Sequence, residues 1–274
     1  MLQDKAMLAS LNISCWSARK QDKKVTAEVE AKHGAHDSGK FNKVLVDKAL
    51  LEPINNVISR ARTTHYRYTL PWTDDGRRIL SGKSFGPCTT EIRTLKSEFE
   101  AAVRAMLKQY PLEVQAARNR LGSMYDPGDY PDPADLASRY SFELNFEPVP
   151  DGNDFRVDVG DEALAELRTS VTNTVVQRQS KAMESCYARL KEVVEKVSQR
   201  LSDPTAIFKD SLIQNVVDEC VVMDGLNLTG DEKLSQLVTD IQAQLVVAPS
   251  VLRTNLERRA KVAAAASQLL LRIP

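Results

Sequence analysis

From Asp161 to Leu201 the chain keeps one helical rhythm. Leu164, Leu167, Val171, Val175, Ala182, Cys186, Leu190, Val193, Val197 and Leu201 stay in step nearly throughout, until Asp203-Pro204 ends the pattern. At 1.5 Å per residue, about 40 residues reach about 60 Å, which is too long for one compact core. Such a helix needs other helices laid along its apolar stripe, so the pattern predicts an antiparallel, coiled-coil-like arm. The helices to cover it follow directly. Ile207, Phe208, Leu212, Val216, Cys220 and Val221 trace a seam from Pro204 to Asp224-Gly225, and Leu234, Leu237, Val238, Ile241 and Leu245 trace the next. After Pro249, Leu252, Leu256, Ala260, Ala263, Ala266 and Leu270 trace a third. Residues 161–274 therefore read as an elongated helical region.

Residues 1–160 read differently, as a mixed region of short strands and amphipathic helices. Leu11, Ile13 and Cys15 alternate with polar neighbours as a strand does. Lys20 to Lys32 is helical but polar, and the His33 to Gly39 stretch is a connector with two glycines. Val44, Leu50, Leu51, Ile54, Val57, Ile58 and Ala61 mark a helical face, with Pro53 predicting a kink or a start. Pro71 forces Tyr68 to Trp72 into an extended run, and Asp74-Asp75-Gly76 turns the chain so that Arg77 to Leu80 runs back beside Leu70. A helix is expected beyond Gly86-Pro87, capped by Thr89 or Thr90, with Ile92, Leu95, Phe99, Val103 and Met106 as its stripe and a break or kink at Tyr110-Pro111. Leu112, Ala116, Ala117 and Leu121 then predict a short helix closed by Gly122. Asp126 to Pro133 is too rich in breakers for regular structure. Tyr140, Phe142, Leu144 and Phe146 alternate, as do Phe155, Val157 and Val159 across Asp151-Gly152-Asn153-Asp154, which predicts a hairpin. The class is α+β, mainly α, with short β-hairpins beside long antiparallel helices.

Composition narrows the functional classes. No run of about 18 apolar residues is present to span a bilayer, and the start of the chain lacks the pattern of a secretory signal, so a cytoplasmic location is expected. Cys15, Cys88, Cys186 and Cys220 are far apart and read as small buried thiols. A formal net charge of zero hides a division. Arg60 to Arg120 holds twelve basic against six acidic residues, whereas Leu121 to Arg168 holds twelve acidic against three basic.

Catalytic signatures are sparse. Gly76-Arg77-Arg78-Ile79-Leu80-Ser81-Gly82-Lys83-Ser84 resembles a phosphate-binding loop, but five residues separate its glycines where four are needed, and Phe85-Gly86-Pro87 stands where a helix should start. His33 and His36 lack further ligands nearby to complete a metal site. His65 lies at a helix end among arginines. Asp74-Asp75 and the Asp151 to Asp161 group lack the ligand spacing of a calcium loop. No cofactor and no catalytic constellation is expected. The strongest functional signal is the basic segment with interleaved aromatics. Arg60, Arg62, Arg67, Trp72, Arg77, Arg78 and Lys83 are the candidate residues for a partner or for single-stranded nucleic acid.

Leu70-Pro71-Trp72 with Asp75-Gly76-x-Arg78-x-Leu80, then Phe99, Tyr110-Pro111, Leu121-Gly122, Tyr130-Pro131 and Pro148-Val149-Pro150 ending at Asp154-Phe155-Arg156, resembles a phage and proteobacterial family of unknown function. The resemblance covers roughly residues 8 to 200. Genes of that family often lie near AAA-type ATPases and von Willebrand-type proteins, which implies a phage origin, a host-cytoplasmic setting and an AAA-type ATPase as a candidate partner. It implies no catalytic residue. Together these features predict a non-enzymatic interaction or scaffold protein that forms a homo-oligomer or docks on a protein, with single-stranded nucleic-acid binding through residues 60–120 as the alternative.

Overall fold

The computed structural model describes residues 2–154 and 160–274. In order, the elements are β1 (Ala6–Ser14), β2 (Arg19–Gln21), α1 (Lys23–His33), β3 (Asn42–Val44), α2 (Lys48–Tyr68), β4 (Thr69–Pro71), β5 (Arg78–Ser81) and α3 (Gly82–Leu121). They continue with α4 (Pro133–Ser138), β6 (Ser141–Pro148), α5 (Asp161–Ser202), α6 (Ser211–Leu226), α7 (Glu232–Leu245), α8 (Pro249–Thr254) and α9 (Leu256–Leu270). The protein is α+β and mainly α. A four-stranded sheet has the order β4-β5-β1-β6, and β2 pairs with β3 in a second, two-stranded sheet. Two compact units result, neither of them contiguous: Met1–Ser10 with Thr64–Thr90 and Asn145–Pro274, and Leu11–Thr63 with Glu91–Leu144.

The first unit joins a hairpin to a helical bundle. Leu70 lies opposite Ile79, and Thr69 opposite Leu80, so β5 does run back beside β4; Leu8 then pairs with Ile79 on the other side. The turn depends on Gly76, whose φ of +92° suits glycine and strains any residue with a Cβ. α5 packs against α6, α7 and α9. α5 and α9 are antiparallel: Arg259, in the first turn of α9, reaches the last turn of α5, and Ser267, two turns on, meets Ser198 at 3.0 Å. Ala182, Cys186, Leu190, Val194, Val197 and Leu201 are buried along this seam, which passes through Val194 rather than Val193. Upstream, Asp161 to Thr174 buries no side chain. A 3-10 turn at Gly152–Asp154 covers one side of that stretch, so tightly that a Cβ at Gly152 would lie 2.7 Å from the Arg168 carbonyl oxygen.

In the second unit Leu50, Ile54, Val57, Ile58 and Ala61 of α2 and Ile92, Leu95, Phe99, Val103 and Met106 of α3 are buried, as their spacing predicts. Trp16 meets Tyr110 edge-on at 5.8 Å, and Phe99 meets Phe142 at 5.5 Å. The breaker zone is pinned by Lys43, which is itself buried; its ammonium lies 2.6 Å from Asp129 and donates to the Met124 carbonyl at 2.8 Å. That pairing compensates the cost of burying the charge.

Several boundaries differ from expectation. The helix expected beyond Gly86-Pro87 starts at Gly82 and is not capped by Thr89 or Thr90. The Ser81 hydroxyl accepts from the Ser84 N–H at 3.2 Å, as an N-cap does, whereas the Thr89 hydroxyl donates backwards to the Phe85 carbonyl. Pro111 does not break α3, and the separate helix expected at Leu112 to Leu121 is its continuation. An interior proline costs about 3 kcal/mol. Burying Tyr110 and Leu121 on either side returns about 1.5–3 kcal/mol each, so packing wins. Pro204 starts no helix. Asp203 accepts from the Thr205 N–H at 2.8 Å in a local turn, α6 begins only at Ser211, and Ile207 and Val221 are exposed instead of lining a seam. The helix expected after Pro249 is interrupted at Asn255, whose side chain caps α9 by accepting from the Arg258 N–H at 2.8 Å. Leu256 and Ala260 face outward there, and Arg259 is buried in their place. Cys15 is exposed, whereas Cys88, Cys186 and Cys220 are buried. β1 begins earlier than its alternation indicates, and β6 carries the expected Phe142 to Phe146 run; Phe155, Val157 and Val159 lie outside the described residues.

Candidate functional site

The first unit holds a cleft between the hairpin and α5. Where β4 ends, the Thr73 N–H donates to the Arg77 carbonyl at 3.1 Å and the chain turns over. This sets Pro71, Trp72, Thr73 and Asp74 as one wall of a cavity of about 350 Å³. The other wall is α5, where Thr174, Gln177, Arg178 and Lys181, three or four residues apart, share one face. At about 30 Å³ per water, the space would hold roughly a dozen waters. Trp72 is only 5% exposed, and its indole N–H is buried without a hydrogen-bond partner among the described residues.

Charge distinguishes this cleft. Among the described residues neither Arg178 nor Lys181 has an acidic partner, and Asp74 stands on the facing wall. Beyond Thr174 and Gln177 the open surface of α5 continues past Asn173, Ser170 and Thr169 to Glu166 and Glu162, with no second wall among the described residues. The acidic residues at the start of α5 and the two cations beside the cleft point to different sides of the helix. Two cations next to an open, donor-rich cavity can hold a carboxylate or phosphate, and the acidic end can hold a cationic group.

The residues singled out by sequence are placed otherwise. Arg60 forms an ion pair with Glu98 within the second unit, and Arg62 is exposed there. In the first unit Arg67 stacks on Tyr68, its guanidinium carbon 4.7 Å from the ring centroid. Arg77 pairs with Asp75 and, at 3.0 Å, with Glu147; its hydrogen bonds hold the Asp75 carboxyl well below the usual carboxylate range. Half-buried Arg78 donates to the Thr69 hydroxyl at 2.7 Å and to the Thr69 carbonyl at 3.0 Å while stacking on Tyr66. Lys83 pairs with Asp224 at 3.0 Å. Of the seven, Trp72 alone lines the cleft. Arg77 is half-exposed on the same turn, committed to carboxylates of its own chain.

The phosphate-loop resemblance also resolves. Strand β5 passes directly into α3 at Gly82, so the residues between the two glycines are extended strand rather than a loop that could cradle phosphate. His33 ends α1 and His36 lies in the connector after it, and no group of three metal-ligating side chains occurs among the described residues. No helix among them is long and apolar enough to cross a membrane. His65 is buried at 3% exposure, with neither ring nitrogen hydrogen-bonded among the described residues. Burial first, and the Arg78 charge second, push its pKa down to about 4.

The cleft cations are not legible in sequence. Arg178 and Lys181 sit among Gln177, Gln179 and Ser180 on what periodicity marks as an ordinary polar helix face, and only the hairpin packed beside them makes a site. Comparison with known proteins finds no matching family model, no matching curated protein and no matching solved structure.

Proposed function

We propose that this chain is a non-enzymatic interaction protein that self-associates through the first half of α5. The observation that carries this reading is the mismatch between the apolar stripe of α5 and its cover. From Ala182 onward the stripe is buried against the bundle, yet Leu164 and Val171 are only half-buried and Leu167 is 37% exposed. Val176, which is 59% exposed, lies on the opposite side of the helix and is not part of this stripe. An isolated helix of this length gains little stability in water from propensity alone, and packing on an amphipathic face supplies the rest. A second helix laid along Leu164, Leu167 and Val171 provides that packing. Three of the candidate cations, Arg60, Arg77 and Lys83, are neutralised within the chain, which leaves the nucleic-acid reading less charge to work with.

The pair Leu167→Glu and Val171→Glu tests the reading. Both positions are at least partly exposed, so the fold should survive, with an unchanged far-ultraviolet circular dichroism spectrum. Self-association, followed by light scattering, is expected to weaken at least tenfold. An oligomer unaffected by both substitutions contradicts the reading. Assembly seen only with a single-stranded oligonucleotide, and lost in salt, would assign the protein to nucleic acid instead.

A further inference from the structure

We infer that the Trp72 cleft binds a free α-amino acid, with its carboxylate on Arg178 and Lys181 of α5 and its ammonium on Asp74 of the facing hairpin turn. The inference is independent of self-association and rests on the charges that the two walls keep. On the turn, Asp75 is taken by Arg77 and by the Thr73 hydroxyl, so of the two adjacent acids Asp74 is the one without a charged partner among the described residues. On α5, Arg178 and Lys181 stand one helical turn apart, and no described carboxylate pairs with either. Asp74 lines the same space yet forms an ion pair with neither cation. Opposite charges therefore face each other across the cleft without meeting.

That arrangement selects its ligand. A simple anion drawn to the cations also meets Asp74, and a simple cation drawn to Asp74 also meets Arg178 and Lys181, so each carries a repulsion with its attraction. A zwitterion aligned across the cleft is attracted at both ends. The planar fork of Arg178 suits a carboxylate, and the Lys181 ammonium adds a second charged donor. Gln177, on the same face, is the neutral donor, because the Thr174 hydroxyl is spent on the Ser170 carbonyl at 2.9 Å. Pro71 and Trp72 give the carbon skeleton an apolar wall. Size agrees: a space of about 350 Å³ is at the small end of ligand pockets, which run from about 300 to 1,000 Å³, and suits about ten heavy atoms better than a nucleotide. Two cations against one acid leave the lining net positive, so a side chain with a second carboxylate is favoured over a basic one.

Titration calorimetry of the full-length chain with L-glutamate, glutarate and L-lysine tests the site. Glutarate keeps both carboxylates of glutamate and lacks its ammonium. Glutamate is expected to bind at least tenfold more tightly than either of the others. Asp74→Asn should weaken glutamate at least tenfold and leave glutarate unchanged or tighter, a change of preference that a folding defect would not produce. Arg178→Gln with Lys181→Gln should weaken both ligands at least tenfold. All three side chains are exposed or half-buried, so the fold should survive with an unchanged far-ultraviolet circular dichroism spectrum. Failure of glutamate to bind at millimolar concentration, by calorimetry and by thermal shift, would overturn the site. Equal affinity for glutamate and glutarate, or binding that ignores the loss of both cations, would overturn the amino-acid assignment. Each of these outcomes leaves self-association as it stands.

Discussion

Arg259→Leu is expected to cost the helical bundle about 3–4 kcal/mol, because four backbone carbonyls lose a charged donor at once. Arg259 is 5% exposed, yet it makes no ion pair with a described carboxylate; its guanidinium is spent on those carbonyls. Nε donates to the Leu201 carbonyl at 3.3 Å, and Nη2 to those of Arg200 at 3.0 Å, Ala206 at 2.8 Å and Asp203. The first two belong to the last turn of α5, where no further backbone N–H continues the helix. A cation at this end also meets the negative pole of the helix dipole. The group stacks on Phe208, 5.4 Å from the ring centroid. Leucine fills part of the volume and removes the side-chain donor from all four acceptors, of which the Asp203 carbonyl keeps the Ala206 N–H at 3.2 Å. Hydrogen bonds to a charged group are worth about 1.5–3 kcal/mol each and are not additive, which sets the figure. Urea unfolding should show a lower midpoint with an unchanged slope. Lysine should recover only part of the loss, since one ammonium cannot reach four carbonyls. An Arg259→Leu variant within about 1 kcal/mol of wild type would mean that the turn after α5 holds itself.

Stability should fall by about 3 kcal/mol as pH drops from 6.5 to 4, through His65. Folded His65 titrates near 4 because burial and Arg78 disfavour its charge, while the unfolded chain takes up the proton near 6.5. Between those values the unfolded state binds more protons, so stability is full above pH 6.5 and is lost as pH falls toward 4. His65→Phe should flatten this limb of the profile. A wild-type profile with no slope between pH 6.5 and 4 would show that His65 finds a way to carry its charge in the fold.

The errors of sequence reading share one physical cause. Periodicity identifies an element wherever a single face is buried, and it correctly picks out α2 from Leu50 onward, the Ile92 to Met106 stripe and the core of α5, although Val44, read with α2, belongs to β3. It is joined by the hairpin at Pro71 and Gly76, because Pro71 constrains the backbone locally and Gly76 is free to take the positive φ of the turn. Boundaries fail where a distant group decides them. Ser81 caps α3 upstream of two residues that look like breakers, and packing carries α3 through Pro111. Arg259 and Asp203 turn the chain where Pro204 looks like a helix start. Arg259 itself has no apolar signature, so its burial has no local signal.

The functional residues show the same limit. The basic segment is visible as composition, but composition says nothing of pairing, and Glu98, Asp75, Glu147 and Asp224 answer its Arg60, Arg77 and Lys83. Arg178 and Lys181 are two cations in a polar run, and their meaning comes from Trp72 and Asp74, about a hundred residues earlier. Trp72 stands out in sequence for the company it keeps in the chain, and it reaches the cleft as a buried wall rather than as an exposed stacking surface.

The most direct test is the mass of the wild-type chain in solution, measured by light scattering across a range of micromolar concentrations at low and at high salt. Self-association through α5 predicts a mass near twice 30.5 kDa that falls toward 30.5 kDa on dilution. A mass that stays at 30.5 kDa at every concentration and salt would contradict it.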